Sequence, residues 1–215
     1  MKRTIPPVLF QTYSRPHQNS IQQLIDKNLN SDWEYKFYND IDVLTFFENN
    51  VIPEYSKIID RYDNMTNWAH KADLFRYYYL YLKGGVFMDM DAMMYVDMDT
   101  IIKNYEFVSV KSTAHPGCIF NGVIGGTPRN KIIKDALDHA YNVDNESLRK
   151  DYHLLCRHLF KILKTNTYGY NVKLYKENVK KTNFGVVDII DDTLTHGNLN
   201  GVLFKHFWKT KQIPT

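Results

Sequence analysis

Hydrophobic positions recur along the chain with two different spacings. Residues 8–13 and 34–38 are rich in β-branched and aromatic side chains or alternate apolar with polar positions, which predicts strands. Between residues 65 and 83 the apolar positions repeat every three or four residues, which predicts an amphipathic helix. Two glycines follow as a left-handed helix cap, and the apolar run at residues 86–88 then predicts a buried strand.

The rest of the chain continues this alternation. Further strands are predicted at residues 107–111, 119–124, 171–175, 184–190 and 202–207, and helices at residues 20–29, 42–49, 53–62, 100–105, 129–141 and 147–164. Low-complexity segments, linkers and internal repeats are missing from the sequence. We therefore expect a single α/β domain over residues 1–215, built around a mainly parallel sheet.

Length and composition indicate a globular protein. A chain of 215 residues with 44% apolar residues can bury a core without help from a disulfide or a structural metal. Its two cysteines, Cys118 and Cys156, match neither a disulfide framework nor a zinc-site spacing, so a reducing compartment is expected. Pro6 and Pro7 interrupt the only apolar run near the start, and no stretch approaches the ~20 apolar residues of a membrane span. We expect a soluble, cytoplasmic protein.

Charge is unevenly distributed between the two halves. Residues 1–110 hold 11 basic and 15 acidic residues, a balance of −4, and residues 111–215 hold 16 and 9, a balance of +7. This division suits a site where a cation meets an anionic ligand, although it also fits charges scattered over a solvated surface. The lysines of the second half form no dense block, so nucleic acid is not expected as a partner.

Two carboxylates follow the buried strand predicted at residues 86–88. In an extended chain Asp89 and Asp91 point to the same side, with Met90 turned into the core. Such a pair can share Mg²⁺ or Mn²⁺, which bind carboxylate oxygens together with water and substrate phosphate. Their place at the carboxyl end of a core strand is where open α/β sheets bind ligands.

A second tripeptide, Asp97-Met98-Asp99, has the same spacing and serves as an internal comparison. No buried strand leads into it, and Asp99 lies where the helix predicted at residues 100–105 needs an N-cap, so we interpret this second pair as structural. On the helix before the first pair, Asp73 and Arg76 are three residues apart and share a face. The guanidinium fits a diphosphate, although the two residues also fit an ordinary surface ion pair.

An extended stretch of sequence carries a family resemblance. The segments at residues 70–77, 80–81 and 84–91 resemble the signature of sugar-nucleotide glycosyltransferases with the D-x-D motif, the capsular-polysaccharide and mannosyltransferase-like group that is also similar to the glucosyltransferase domains of clostridial toxins. Residues 5–13 and 33–40 extend the resemblance, and residues 120–128 match more weakly. The resemblance implies a GT-A fold, which is a Rossmann-like sheet flanked by helices.

The resemblance also implies roles for individual residues. It places Gln11, Thr12 and Tyr13 in a nucleoside pocket, and Asp73, Arg76 and Asn121 against the sugar and diphosphate. Asp89 would lie near the ribose and the metal, and Asp91 would bind the metal, Mn²⁺ or Mg²⁺, directly. A third ligand near the C-terminus is expected at His206, with His196 as the alternative, and lysines 205, 209 and 211 fit a lid over the leaving diphosphate.

The resemblance implies a metal-dependent transfer of a hexose or deoxyhexose from a nucleoside diphosphate, with UDP favoured, to a hydroxyl of a glycan or glycoprotein. An inverting enzyme also needs a carboxylate base, for which Asp151 and Asp188 are the candidates.

Two alternative functions remain open. A haloacid-dehalogenase-like phosphatase also places D-x-D after a strand, and the residue pair 191–192 imitates its later acidic pair. The 16 tyrosines and 3 tryptophans also fit a non-catalytic carbohydrate-binding module.

Overall fold

A nine-stranded mixed sheet with helices against it forms the frame of the protein. The computed structural model describes residues 3–13, 29, 32–178, 187–190 and 202–206. The strands in chain order are β1 (Val8–Thr12), β2 (Glu34–Tyr38), β3 (Gly85–Met88), β4 (Ala92–Met94), β5 (Phe107–Lys111), β6 (Ile119–Gly126), β7 (Val172–Asn178), β8 (Val187–Ile190) and β9 (Val202–His206). Their order across the sheet is β2-β1-β3-β6-β5-β7-β8-β9-β4.

Seven α-helices and one short 3₁₀ turn (Pro53–Tyr55) accompany these strands in the described part of the chain. The helices are α1 (Asp40–Asn49), α2 (Ile58–Asn64), α3 (Trp68–Lys83), α4 (Met98–Ile102), α5 (Lys131–Asn142), α6 (Asn145–Lys150) and α7 (Leu154–Thr165). Among the described residues, none of these helices has both the length and the apolar run that a membrane crossing needs.

The strand directions bring several chain segments to one edge of the sheet. β1 pairs in parallel with β2 and β3, and β5 with β7, whereas β6, β8 and β4 run antiparallel to their neighbours. One end of the sheet therefore collects the carboxyl ends of β1, β3, β5, β7 and β9 together with the beginning of β6. Ligand sites of α/β sheets form where the carboxyl ends of strands meet in this way.

Helix α3 is buried along most of its length. Its side chains from Asp73 to Tyr81 are all buried, and Phe75 and Tyr79 make edge or tilted ring contacts with Phe10 of β1. Asn67 caps its N-terminus through a 2.9 Å hydrogen bond from the Ala69 amide. The helix ends at Gly84, whose φ of +70° is the left-handed conformation that the sequence predicted.

The two faces of the sheet are covered by separate apolar clusters. Phe10, Phe87 and Ile124 pack with the large helices on one face, and their neighbours Leu9 and Val86 pack on the other. This separation follows from the alternation of side chains along a strand. Consecutive core residues of β1 and β3 thus hold both layers together.

Most predicted elements are present, and the differences are local. The helix predicted at residues 147–164 is two helices, because Asp151 adopts an extended backbone and accepts a hydrogen bond from the His153 amide. The helix predicted at residues 53–62 begins as a 3₁₀ turn, and the one predicted at residues 100–105 lies slightly earlier. The sequence did not reveal the short strand β4, and the helix predicted at residues 20–29 lies almost wholly outside the described residues.

Candidate active site

The carboxylates of the first D-x-D tripeptide project from a turn. β3 ends at Met88, and the Ala92 amide donates to the Asp89 carbonyl at 3.1 Å, which closes a turn over residues 89–92. The extended strand predicted here is therefore wrong, and Met90 is only half-buried rather than part of the core. The tight turn, rather than strand alternation, directs Asp89 and Asp91 toward one cavity.

Strand β9 brings a histidine to the same place. β4 continues directly from the turn and pairs antiparallel with β9, so that Ala92 lies opposite His206. The His206 Nε2 atom lies 3.2 Å from Asp91 Oδ1, and its ring packs against Phe120 with the two centroids 4.7 Å apart. A residue more than a hundred positions away along the chain thus completes the D-x-D motif.

Asp89, Asp91 and His206 form a cluster with the chemistry of a divalent-metal site. One ligand atom from each lies within 4.8 Å of the other two. Two carboxylate oxygens and one imidazole nitrogen suit Mn²⁺, and three protein ligands leave positions for water or phosphate. Burial opposes the charged form of His206, but its hydrogen bond to Asp91 and the nearby carboxylates outweigh this effect and raise its pKa. Burial also raises the pKa of Asp89, which indicates a site where bare negative charge is costly.

Arg76 connects this cluster to helix α3. Its Nη2 atom lies 3.6 Å from Asp89 Oδ1 and its Nη1 atom 3.4 Å from Asp73 Oδ1. The guanidinium also donates to the carbonyls of Ala72 and Asn121 and lies 3.9 Å from the centroid of the Phe87 ring. The interpretation as a surface ion pair is wrong, because the side chains of Arg76 and Asp73 are only 6% and 8% exposed.

Asn121 presents a buried polar atom with no partner among the described residues. Its Nδ2 donates to Asp73 Oδ1 at 3.1 Å and to the Tyr77 hydroxyl at 2.6 Å, while its Oδ1 accepts no hydrogen bond from them. Buried polar groups are normally satisfied, so such an orphan points to a group supplied from outside the chain. Because Asn121 lines the cavity, a ligand hydroxyl is a suitable donor.

Of the three residues expected at the nucleoside pocket, two line the cavity and one does not. Thr12 and Tyr13 line the cavity. Gln11 does not line it: this residue is fully buried, donates to the carbonyls of Met88 and Asp89 at 3.1 Å each, and accepts from Tyr35. Its position therefore favours support of the turn after β3 over direct contact with a nucleoside.

The two carboxylates considered as catalytic bases do not line the cavity in the described part of the chain. Asp151 forms an ion pair with Arg157, and Asp188 lies 3.9 Å from Lys205 Nζ. Neither is among the described residues that line the cavity, and Lys205 is not either. His196, the lysines at 209 and 211 and the acidic pair at 191–192 lie outside the described residues. The second D-x-D tripeptide is structural as predicted, but the cap of α4 is Asp97 rather than Asp99, which instead lies in the first turn and binds Arg3 and Trp33.

The cavity that collects these groups has a volume of about 720 Å³. It contains residues that sequence reasoning missed, chiefly Glu177 at the end of β7, Ser112 after β5, the exposed Trp68, and Tyr152 between α6 and α7. The strand predicted at residues 171–175 stopped two residues short of Glu177. An acidic residue that continues such a strand is the signal that was available.

Gly122 makes room for the metal cluster, and replacing it by Ala is expected to disturb that cluster. An added Cβ would lie 2.4 Å from Asp89 Oδ2 and 2.2 Å from the Phe120 ring. Because the carboxylate must then move, we expect the affinity for Mn²⁺, measured by calorimetry, to fall on the order of tenfold. Losses of this size are typical when the residues that orient a metal ligand are changed. Gly169→Ala is the control for a general loss of stability, since its φ of +71° makes alanine strained there but its Cβ would meet nothing within 4 Å. Unchanged metal affinity in Gly122→Ala would contradict this role.

Comparison with known proteins gives consistent results. Residues 14–108 match the family described as the glycosyltransferase sugar-binding region containing the DXD motif. The chain is 28% identical over 132 residues to an uncharacterized glycosyltransferase of Acanthamoeba polyphaga mimivirus, an alignment that covers 61% of this chain and 49% of the relative. It is 26% identical over 145 residues to a mannosyl phosphorylinositol ceramide synthase of Saccharomyces cerevisiae, covering 65% of this chain and 36% of that protein.

The fold comparison agrees with the sequence comparisons. The solved structure of the PaToxG glycosyltransferase superposes with a TM-score of 0.56 at 16% identity, over 77% of this chain and 71% of that one. The chain spans half or less of the length of the two relatives described above. The matched family region, the relatives and the shared fold agree with the geometry of the D-x-D turn, and together they support a GT-A-like glycosyltransferase of the DXD type.

Proposed function

We propose that the protein transfers a hexose or deoxyhexose from a nucleoside-diphosphate sugar to a hydroxyl group of a glycan or glycoprotein, in a reaction that depends on Mn²⁺ or Mg²⁺. The resemblance to the toxin-like glucosyltransferases favours UDP as the nucleotide. The free cysteines Cys118 and Cys156 fit a reducing compartment, and we propose the cytoplasm as the place of action. The two other functions considered, phosphatase and carbohydrate-binding module, find no support in the family match or the fold.

The observation that carries this proposal is that a set of metal ligands and a buried guanidinium lie together at one cavity. Asp89, Asp91 and His206 supply a ligand set for a divalent ion. Arg76 supplies the only Lys or Arg side chain among the described residues that line the cavity. Ligands and guanidinium are joined through the 3.6 Å contact between Arg76 and Asp89. A metal next to a buried guanidinium is a binding site for a diphosphate rather than for a neutral glycan.

The arrangement accounts for the chemistry of glycosyl transfer. When bound, a divalent ion supplies Lewis-acid stabilisation of the departing diphosphate. Arg76 is placed to neutralise charge on the same group and needs no rearrangement, because Asp73 and the Asn121 carbonyl already hold its guanidinium. The bond between sugar C1 and the diphosphate oxygen breaks with its electron pair on oxygen. The acceptor oxygen bonds to C1, and its proton leaves to the diphosphate or to solvent.

The nucleoside would occupy the β1 side of the cavity. Thr12 and Tyr13 lie at the carboxyl end of β1, next to β3 in the sheet, and Tyr13 is 47% exposed. An exposed aromatic ring at the cavity rim can stack on a base. Asn121 Oδ1, which has no partner among the described residues, is placed to accept a hydrogen bond from a hydroxyl of the sugar being transferred.

Thermal stability in the presence of nucleotides and metal tests this function. We expect Mn²⁺ with UDP to raise the melting temperature by about 5 °C or more, since a ligand at 100 times its Kd adds about 2.7 kcal/mol to stability. UDP without metal should raise it much less, and GDP serves as the comparison for base preference. Incubation with UDP-hexoses should release UDP in a Mn²⁺-dependent way. Turnover of simple phosphate esters without nucleotide stabilisation would instead favour a phosphatase.

A further inference from the structure

The cavity extends beyond the metal cluster to a second group of polar and aromatic residues. Ser112, His115, Tyr152, His153 and Glu177 line it, and we refer to them as the Glu177 end. They come from the end of β5, the β5–β6 loop, the connection between α6 and α7, and the end of β7. In the sheet order β1-β3-β6-β5-β7, Glu177 lies four strands from Thr12, which is roughly 19 Å at about 4.8 Å per strand. The Glu177 end is therefore well separated from the nucleoside side.

Glu177 is a buried carboxylate of which one oxygen is bound by the protein. Its Oε2 atom accepts hydrogen bonds from the Ser112 hydroxyl at 2.6 Å and from the amides of Thr113 and Ala114 at 2.9 and 3.3 Å. The residue is 6% exposed and lines the cavity, and within the described part of the chain no hydrogen bond reaches its Oε1 atom. A carboxylate offers about four acceptor positions. One edge is thus fixed by the protein, while the other is available to hydrogen-bond donors of a ligand.

Flat rings line the same cavity as this carboxylate. The rings of His115 and His153 stack with their centroids 4.0 Å apart, and Tyr152 meets His153 edge-on at 5.0 Å. Tyr152 is 54% exposed, although its carbonyl is tied to His70 Nε2 at 2.9 Å. Burial, followed by the effect of the neighbouring histidines, lowers the pKa of His153, so its ring is uncharged at neutral pH. These faces suit the apolar C–H surface of a sugar ring.

The charge of the described lining disfavours a second phosphate at this end, because the nearby Arg157 guanidinium is already paired with Asp151. No Lys or Arg among the described cavity-lining residues lies here, since the only one of that type is Arg76 beside the metal cluster. The ionised Glu177 would repel an anion, but it accepts readily from hydroxyl groups. A carboxylate with adjacent aromatic rings is therefore matched to a neutral, hydroxyl-rich ligand rather than to a nucleotide.

We propose that the Glu177 end binds a neutral sugar ring of the acceptor, with Glu177 accepting hydrogen bonds from its hydroxyls and Tyr152 packing on its face. This inference rests on the proposed glycosyltransferase function, because it assigns the second substrate of that reaction. It replaces Asp151 and Asp188 as the acidic residues on the acceptor side. It also makes the acceptor a saccharide rather than a bare serine or threonine of a peptide.

Binding of simple glycosides tests this assignment without requiring turnover. The probes are the methyl glycosides of glucose, galactose and mannose, titrated by saturation-transfer NMR against the protein with Mn²⁺, first without UDP and then after UDP is added. We expect at least one probe to bind in the millimolar range and UDP not to displace it. Glu177→Gln, which preserves shape but removes the charged acceptor, and Tyr152→Ala should each weaken this binding about tenfold or more. Glu48→Gln, on the exposed face of α1, is the matched control and should not.

The outcomes separate the two proposals. If UDP and Mn²⁺ still stabilise Glu177→Gln as they do the wild type, but glycoside binding is unchanged by both Glu177→Gln and Tyr152→Ala, this inference fails and the proposed function stands. Displacement of the glycoside by UDP, or binding of none of the three probes, would also overturn it. If the glycoside depends on Glu177 while no nucleotide binds, the sugar site stands and the glycosyltransferase proposal fails.

Discussion

Replacing Asp91 by Asn is expected to abolish the Mn²⁺-dependent release of nucleoside diphosphate from the sugar nucleotide while leaving the metal-free melting temperature nearly unchanged. Asp91 lies 3.2 Å from His206 and belongs to the carboxylate-imidazole cluster. The amide preserves shape but is a poor ligand for a hard cation. Because a bound ion contributes several kcal/mol at the transition state, the rate should fall on the order of 100-fold or more.

The chain supplies a matched control for this variant. Asp97 stands in an identical Asp-Met-Asp tripeptide, but its side chain caps α4 by accepting from the Asp99 amide at 2.9 Å. Asparagine caps a helix as well as aspartate, so Asp97→Asn should retain both activity and stability. Retained activity in Asp91→Asn, with rates and metal dependence like those of wild type, would remove this residue from the metal site.

Replacing Arg76 by Met is expected to have the largest combined effect on stability and function. The guanidinium is buried between Asp73 and Asp89, and its removal leaves the buried Asp73 carboxylate without its cation. Breaking a buried pair in this way typically costs about 3–5 kcal/mol, which denaturant unfolding would measure. The variant should also lose nucleotide-dependent stabilisation, because no other Lys or Arg among the described residues lines the cavity.

Two controls distinguish this effect from a general loss of charge. Lys150→Met breaks an exposed ion pair with Glu146, for which about 0.5 kcal/mol or less is expected. The double variant Asp73→Asn with Arg76→Met removes the orphaned charge and should recover part of the lost stability without recovering nucleotide binding. A single variant as stable as wild type would show that the pair is not buried in solution.

The instability of Arg76→Met should also depend on pH. Burial raises the pKa of Asp73, and Arg76 partly offsets that effect. Without Arg76 the folded-state pKa lies still further above the unfolded value, so the folded variant binds a proton that the unfolded chain releases. Its stability relative to wild type should therefore be greatest at low pH and fall as the pH rises. The difference in unfolding free energy between pH 5 and pH 8 measures this.

Local patterns in the sequence were sufficient to predict the elements that carry the site. The spacing of apolar residues predicted α3 and its glycine cap, and the buried run predicted β3 with two carboxylates after it. These features depend on neighbours within one or two turns of the chain. The structural role of the second tripeptide was also predicted, although the reason given for it was incomplete, because the short strand β4 ends at Met94, three residues before Asp97.

The contacts that complete the site depend on long-range pairing, which no local pattern contains. His206 reaches Asp91 only because β4, a strand of three residues, pairs with β9 at the far edge of the sheet order. Glu177 and Ser112 meet because β5 and β7 are parallel neighbours, 65 residues apart along the chain. The sequence by itself determined the ligand types and the elements that bear them. Tertiary packing decided which of the dispersed acids and histidines share one cavity, since strand order and register bring together residues whose separation along the chain says nothing about their distance.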